Sequence, residues 1–156
     1  MIATLALLFA TAFPASNRTA WMRPESFHLG VGMSRSEAMK VLDRDGWKTR
    51  TTKSAGEIAF DYSESCGVTL HFRKERVTAI RFELFAFMDQ AYAAFDEEKA
   101  FLRTTFGAPV TSTKVVLVYN RQLPNIMAVL SSSKSSAAGR QGLGMLVVNY
   151  YDPVVK

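Results

Sequence analysis

The chain has 156 residues, 48% hydrophobic and 12% aromatic, which suffices for one packed domain of ordinary size and argues against two. Its 19 Lys and Arg against 14 Asp and Glu give a formal charge of +5; these basic residues are scattered singly, so nucleic acid is not an expected partner. The single cysteine, Cys66, and the two histidines, His28 and His71, exclude an internal disulfide and leave too few ligands for a cysteine- or histidine-rich metal site, and no cofactor is implied.

Residues 1–13 are apolar and uncharged, but fall short of the about 20 apolar residues that cross a bilayer, so no transmembrane span is expected. Ala10-Thr11-Ala12 supplies the small-x-small pattern of a secretory cleavage site. Residues 1–16 therefore read as a signal segment, and the mature protein as exported and periplasmic. No Lys or Arg precedes the apolar run, and the alternative is a buried first helix of a cytoplasmic domain. With Cys66 as the only cysteine, no lipid anchor is expected at this end.

Residues 17–29 lack periodicity and read as an extended lead-in, with a short strand at Phe27-His28-Leu29. The glycines of Gly30-Val31-Gly32 do not form a dinucleotide-binding loop, because Arg35 stands where the third glycine is needed. Ser34-Arg35-Ser36-Glu37 is a capping box; the helix it opens should run to about Asp45, with Ala38, Val41 and Leu42 inward and Gly46 in the left-handed position that ends it. Strands are expected over 47–53 and 57–65.

The clearest pattern follows over 67–87. Val68, Leu70 and Phe72 alternate with Thr69, His71 and Arg73, and Ile80, Phe82 and Leu84 alternate with Arg81 and Glu83, the period-two signature of a half-buried antiparallel hairpin. Aligning the apolar rows sets Leu70 opposite Ile80 and Phe72 opposite Thr78, with a turn at Lys74-Glu75-Arg76. Cys66 and His71, an odd number of positions apart on one strand, face opposite sides and make a poor nucleophile–base pair.

A second helix is expected from 87–89 to Phe106, with Tyr92, Phe95, Leu102 and Phe106 inward and Asp96, Glu97, Glu98 and Arg103 solvated. Gly107 and Pro109 end it. Val115-Val116-Leu117-Val118-Tyr119 is apolar on both faces, which calls for a cover of helices on one side and something else on the other. Strands over 126–130 and 143–151 complete the chain. Between them, residues 131–142 form a Ser, Gly and Ala rich loop carrying Lys134 and Arg140, suited to a rim that touches a partner. Ser131-Ser132-Ser133-Lys134 matches Ser-x-x-Lys of penicillin-recognising enzymes, but no Ser-Asp-Asn or Lys-Thr-Gly accompanies it.

The fold class is thus α+β: an antiparallel sheet of about seven strands with two helices on one face, in a single domain over 30–153 made of tandem α-β-β-β(-β) modules, 30–87 and 88–153. Gly32-Met33-Ser34-Arg35-Ser36-Glu37-Ala38 entering a helix that ends at Gly46, then Phe106-Gly107-Ala108-Pro109 ending another, resembles the modules of beta-lactamase-inhibitory-protein-like domains. It is also similar to the small outer-membrane lipoproteins of the SmpA/OmlA family, whose lipidated cysteine near the start has no counterpart here. The resemblance implies an exported binding module and no catalytic residue.

Three functions follow as expectations. The first is a non-catalytic, exported or envelope-associated protein that engages a protein or envelope component through a sheet face and loops. Its partner-binding candidates are His71, Arg73, Arg81, Glu83, Lys134 and Arg140, cations and a carboxylate that can form charge-assisted pairs. The second is a small hydrolase with His71 as base, for which the spacing supplies neither nucleophile nor orienting acid. The third is a carrier of an apolar ligand between helices and sheet, lined by Trp47, Phe60 and Tyr62.

Overall fold

A computed structural model describes residues 18–120, 124–132 and 142–154. After a short 3-10 helix at Pro24–Phe27 come helix α1 (Arg35–Arg44) and strands β1 (Arg50–Thr51), β2 (Glu57–Ser63), β3 (Cys66–Arg73) and β4 (Arg76–Phe87). Helix α2 (Met88–Phe106) is then followed by β5 (Thr111–Ser112), β6 (Val116–Tyr119), β7 (Asn125–Ser132) and β8 (Leu143–Tyr151). All eight strands form one open antiparallel sheet in the order β1-β2-β3-β4-β8-β7-β6-β5. The α+β reading holds, with eight strands where about seven were expected. Each half is a helix followed by a four-stranded meander, and the two halves meet where β4 pairs with β8, as if related by a two-fold axis through the middle of the sheet.

Local chemistry sets these elements. The Ser34 hydroxyl accepts the Glu37 backbone N–H at 3.2 Å while the Glu37 carboxylate accepts the Ser34 N–H at 3.0 Å, satisfying orphan donors at both positions of the α1 start. Gly46, with φ 77°, takes the left-handed step after α1 that a side chain would oppose. In the central hairpin Leu70 does lie opposite Ile80, but a bulge shifts the register so that Phe72 meets Val77 and not Thr78. The turn is consequently two residues, Lys74 and Glu75, both at positive φ (49° and 58°), the backbone that matches hairpin twist. Strand β1 is also shorter than the 47–53 stretch suggested.

One core fills the space between one face of the sheet and the helices. Ile80, Phe82 and Leu84 of β4, Ile126, Ala128 and Leu130 of β7, and Leu146, Val148 and Tyr150 of β8 face Ala38 and Leu42 of α1 and Ala91, Ala94, Phe95 and Leu102 of α2. The inner stripe of α2 differs from the expected one: Ala91 and Ala94 sit inside and Tyr92 is exposed. Small residues let the helix approach closely, and a Cβ on Gly144 of β8 would lie 2.7 Å from the Ala91 Cβ.

The lead-in is not extended. Residues 18–29 fold as turns around the 3-10 helix, and His28 adopts the left-handed region with φ 54° where a strand was expected. Trp21, Met22, Phe27 and Leu29 are buried. Phe27 lies edge-on to Trp47, Phe60 and Tyr62 and stacks on Phe82. This strap completes the helical layer over the first module, where α1 alone is too short to cover four strands. No helix among the described residues is long and apolar enough to cross a membrane.

Candidate functional site: the open face of the sheet

Strand alternation puts every second side chain on the face away from the helices, and the pairing register fixes their order across it. One row runs Val116, Val129, Val147, Glu83, Gly67, Asp61 from β6 to β2; the next runs Thr111, Val118, Met127, Asn149, Arg81, Thr69, Ala59, Arg50 from β5 to β1. Met145 and Phe85 pair beside them. The first row changes from apolar to ionic at the β8–β4 seam; the second is apolar at Val118 and Met127 and turns polar one strand earlier, at Asn149 of β8.

The ionic half is largely paired internally. Arg81 Nη2 lies 2.7 Å from Glu83 Oε1, His71 Nδ1 3.0 Å from Glu57 Oε1, and Arg50 Nη2 3.1 Å from Asp61 Oδ1. These pairs are half-exposed and contribute little stability, but they leave few bare charges. His71, Thr78, Ala79, Arg81, Asn149, Tyr151 and Asp152 line a shallow basin of about 360 Å³ at the seam. At its floor Arg81 Nε and Asn149 Oδ1, on register partners, have no hydrogen-bond partner among the described residues.

The apolar half has no such closure. Val116, Val118, Met127, Val129, Met145 and Val147 are half-buried, and at the margin Phe85 is 48% and Leu143 44% exposed. An antiparallel sheet with one solvated face normally alternates apolar and polar residues; here β7 and β8 are apolar on both faces. Among the described residues, neither helix lies on this face. For β6 the cover expected on its helix side is present, with Leu117 and Tyr119 buried and Tyr119 against Phe106.

The sequence-derived candidates thus separate. His71 and Arg81 share the basin and Glu83 adjoins it through Arg81, whereas Arg73 lines a different pocket at the β3–β4 turn. Lys134 and Arg140 lie outside the described residues, as does the apolar start. Sequence reasoning missed the second-module patch, although the near-continuous apolar runs of β7 and β8 carried the signal. It also missed Glu57, the acid that orients His71, because cross-strand pairing supplies it and sequence spacing does not. Cys66 is buried, and burial raises its thiol to about 11, the inert condition of a core cysteine. Trp47, Phe60 and Tyr62 pack on one another and on the strap.

One carboxylate reads differently from the expectation. Glu98 of α2 is fully buried, not solvated. Arg23 of the strap pairs with it, Nη1 2.8 Å from Glu98 Oε2, and the same guanidinium lies 3.6 Å over the Phe101 ring. Burial pushes the Glu98 carboxyl up to about 7 against the opposing pull of Arg23 and the Thr19 hydroxyl. Arg18 adds a backbone N–H to Glu97 at 2.9 Å, and Tyr150 donates its hydroxyl to the Met22 carbonyl at 3.2 Å. This cluster ties the strap to α2 and faces the interior. No cluster of three or more metal-ligating side chains occurs among the described residues.

The chain matches no protein-family model, no curated protein and no solved structure.

Proposed function

We propose that the protein is a non-catalytic, exported binding or envelope-associated module that engages a protein partner through the open face of its sheet. The observation that carries this reading is the contiguous apolar patch of Val116, Val118, Met127, Val129, Met145 and Val147 beside half-exposed Phe85. Contiguous apolar surface rimmed by polar groups marks interaction sites in soluble proteins, and the neighbouring ion pairs supply the polar rim that such interfaces carry. The secretory pattern of residues 1–16 supports export, and an intact Met1 in the purified native protein would contradict it. For the partner, wild type and a Val129→Lys, Val147→Lys protein of unchanged thermal stability are compared in capture from envelope extract. Loss of the captured protein is expected; identical capture would remove this face from consideration.

A second reading has one observation in its favour. The His71–Glu57 pair beside the basin is the base-and-orienter half of a hydrolytic site. Among the described residues, however, the ring's polar partner is Glu57 alone, with no hydroxyl or thiol nucleophile bonded to it. Turnover of a simple ester that disappears in both His71→Ala and Glu57→Gln would support this reading; no turnover removes it.

A further inference from the structure

The β3–β4 turn collects positive charge that is only partly paired among the described residues. Arg73 and Arg76 are directly opposite across the hairpin, a like-charge pair that destabilises a sheet, and Lys74 follows in the turn between them. Lys74 and Glu75 both hold positive φ without glycine, a conformation that side chains oppose. Arg76 is anchored through Nη1 to the Gly32 carbonyl at 3.0 Å, Glu75 is within 3.8 Å of Arg35, and Glu37 is engaged by Ser34. Arg73 and Lys74 are exposed and have no side-chain partner among the described residues. All three cations line one pocket of about 250 Å³, with Gly32, Val77, Thr78, Asp152 and Val154 as its other walls. Thr78 and Asp152 also line the basin on the open face, so the two depressions adjoin.

We infer that this turn pocket binds a carboxylate-rich peptide segment of the partner, an inference that rests on the binding reading above. Opposed arginines with a lysine between them offer separate charge-assisted bonds to successive carboxylates, and closing them relieves the repulsion between Arg73 and Arg76. Asp152 decides between a peptide and a compact anion such as phosphate. A dianion filling the pocket meets that carboxylate at close range, whereas a peptide keeps its carboxylates on the cations and has backbone N–H groups to offer Asp152. Continuity with the basin gives the segment a path from the apolar patch to the turn.

The test uses the purified full chain and a fluorescein-labelled hexaglutamate peptide, read by anisotropy at low and high salt, with inorganic phosphate as competitor. Expected are binding that weakens with salt, a loss of about tenfold or more in Arg73→Gln, Lys74→Gln, and no comparable loss in the control Lys48→Gln, Lys53→Gln, which changes net charge equally at exposed positions elsewhere. No binding, equal weakening in the two double variants, or displacement by phosphate at concentrations comparable to the peptide would each overturn the inference. Peptide binding without partner capture sinks only the earlier proposal; capture without peptide binding sinks only this one.

Discussion

The two modules share a plan and differ in how each face is finished. In the second, the 19-residue helix α2 lies on β4, β7 and β8 and supplies most of the inner cover. In the first, the 10-residue helix α1 meets the sheet chiefly at β4, and the strap of residues 18–29 fills the gap with Trp21, Met22 and Phe27. The open faces differ in the opposite sense: among the described residues, the first module ends in paired charges and the second in half-buried valine and methionine. The same plan therefore finishes its two open halves differently, and that asymmetry is what supports the proposed binding face.

If the strap truly substitutes for helix, the first module should fail without it. Phe27→Ala removes a buried ring that contacts Trp47, Phe60, Tyr62 and Phe82, and denaturant unfolding should show a loss of about 3–5 kcal/mol. A loss below about 1 kcal/mol would mean that the strap is peripheral.

Next in size is the polar tie between strap and α2. Arg23→Ala strands Glu98 and should cost about 3 kcal/mol at pH 8, and less at pH 5, where a protonated Glu98 needs no cation. The wild type has its own pH signature. A carboxyl with a raised folded-state pKa stabilises fully below the ordinary value of 4.5 and loses that contribution as pH rises through about 7. Stability of wild type should decline across that window by up to the order of 3 kcal/mol, and Glu98→Gln should abolish the decline. A flat wild-type profile would show that Arg23 compensates Glu98 completely.

The second module's contact is probed by Gly144→Ala, whose new methyl would meet Ala91 at 2.7 Å and Met88 Sδ at 2.9 Å. A cost of about 1–3 kcal/mol is expected in thermal unfolding. The smallest effect runs the other way: Lys74→Asn, Glu75→Gly gives the turn residues that favour positive φ and should stabilise by about 1 kcal/mol, while weakening hexaglutamate binding through loss of Lys74.

Much of this was legible in the sequence for a physical reason. Strand alternation and the capping box are local codes, so the central hairpin, the α1 start and the repeat of plan could be read from residues close in the chain. What escaped depended on distance. The strap carries no periodicity because its turns bury Trp21 and Phe27 irregularly. Glu98 looked solvated beside Glu97 until α2's orientation placed it under Arg23. Glu57 reaches His71 only through the cross-strand pairing of β2 with β3. The apolar patch was half visible: the two-faced pattern of β6 called for a second cover, and the same pattern in β7 and β8 shows how far the apolar surface extends.

The asymmetry of the open face is tested most directly by placing a photo-crosslinking side chain in turn at Val147 and Val129 in the apolar half and at Asp61 and Thr69 in the ionic half, in cells producing the protein. Adducts of one defined mass at Val147 and Val129, and none at Asp61 or Thr69, are predicted. Adducts confined to the ionic half, or none at any of the four positions, would contradict the account.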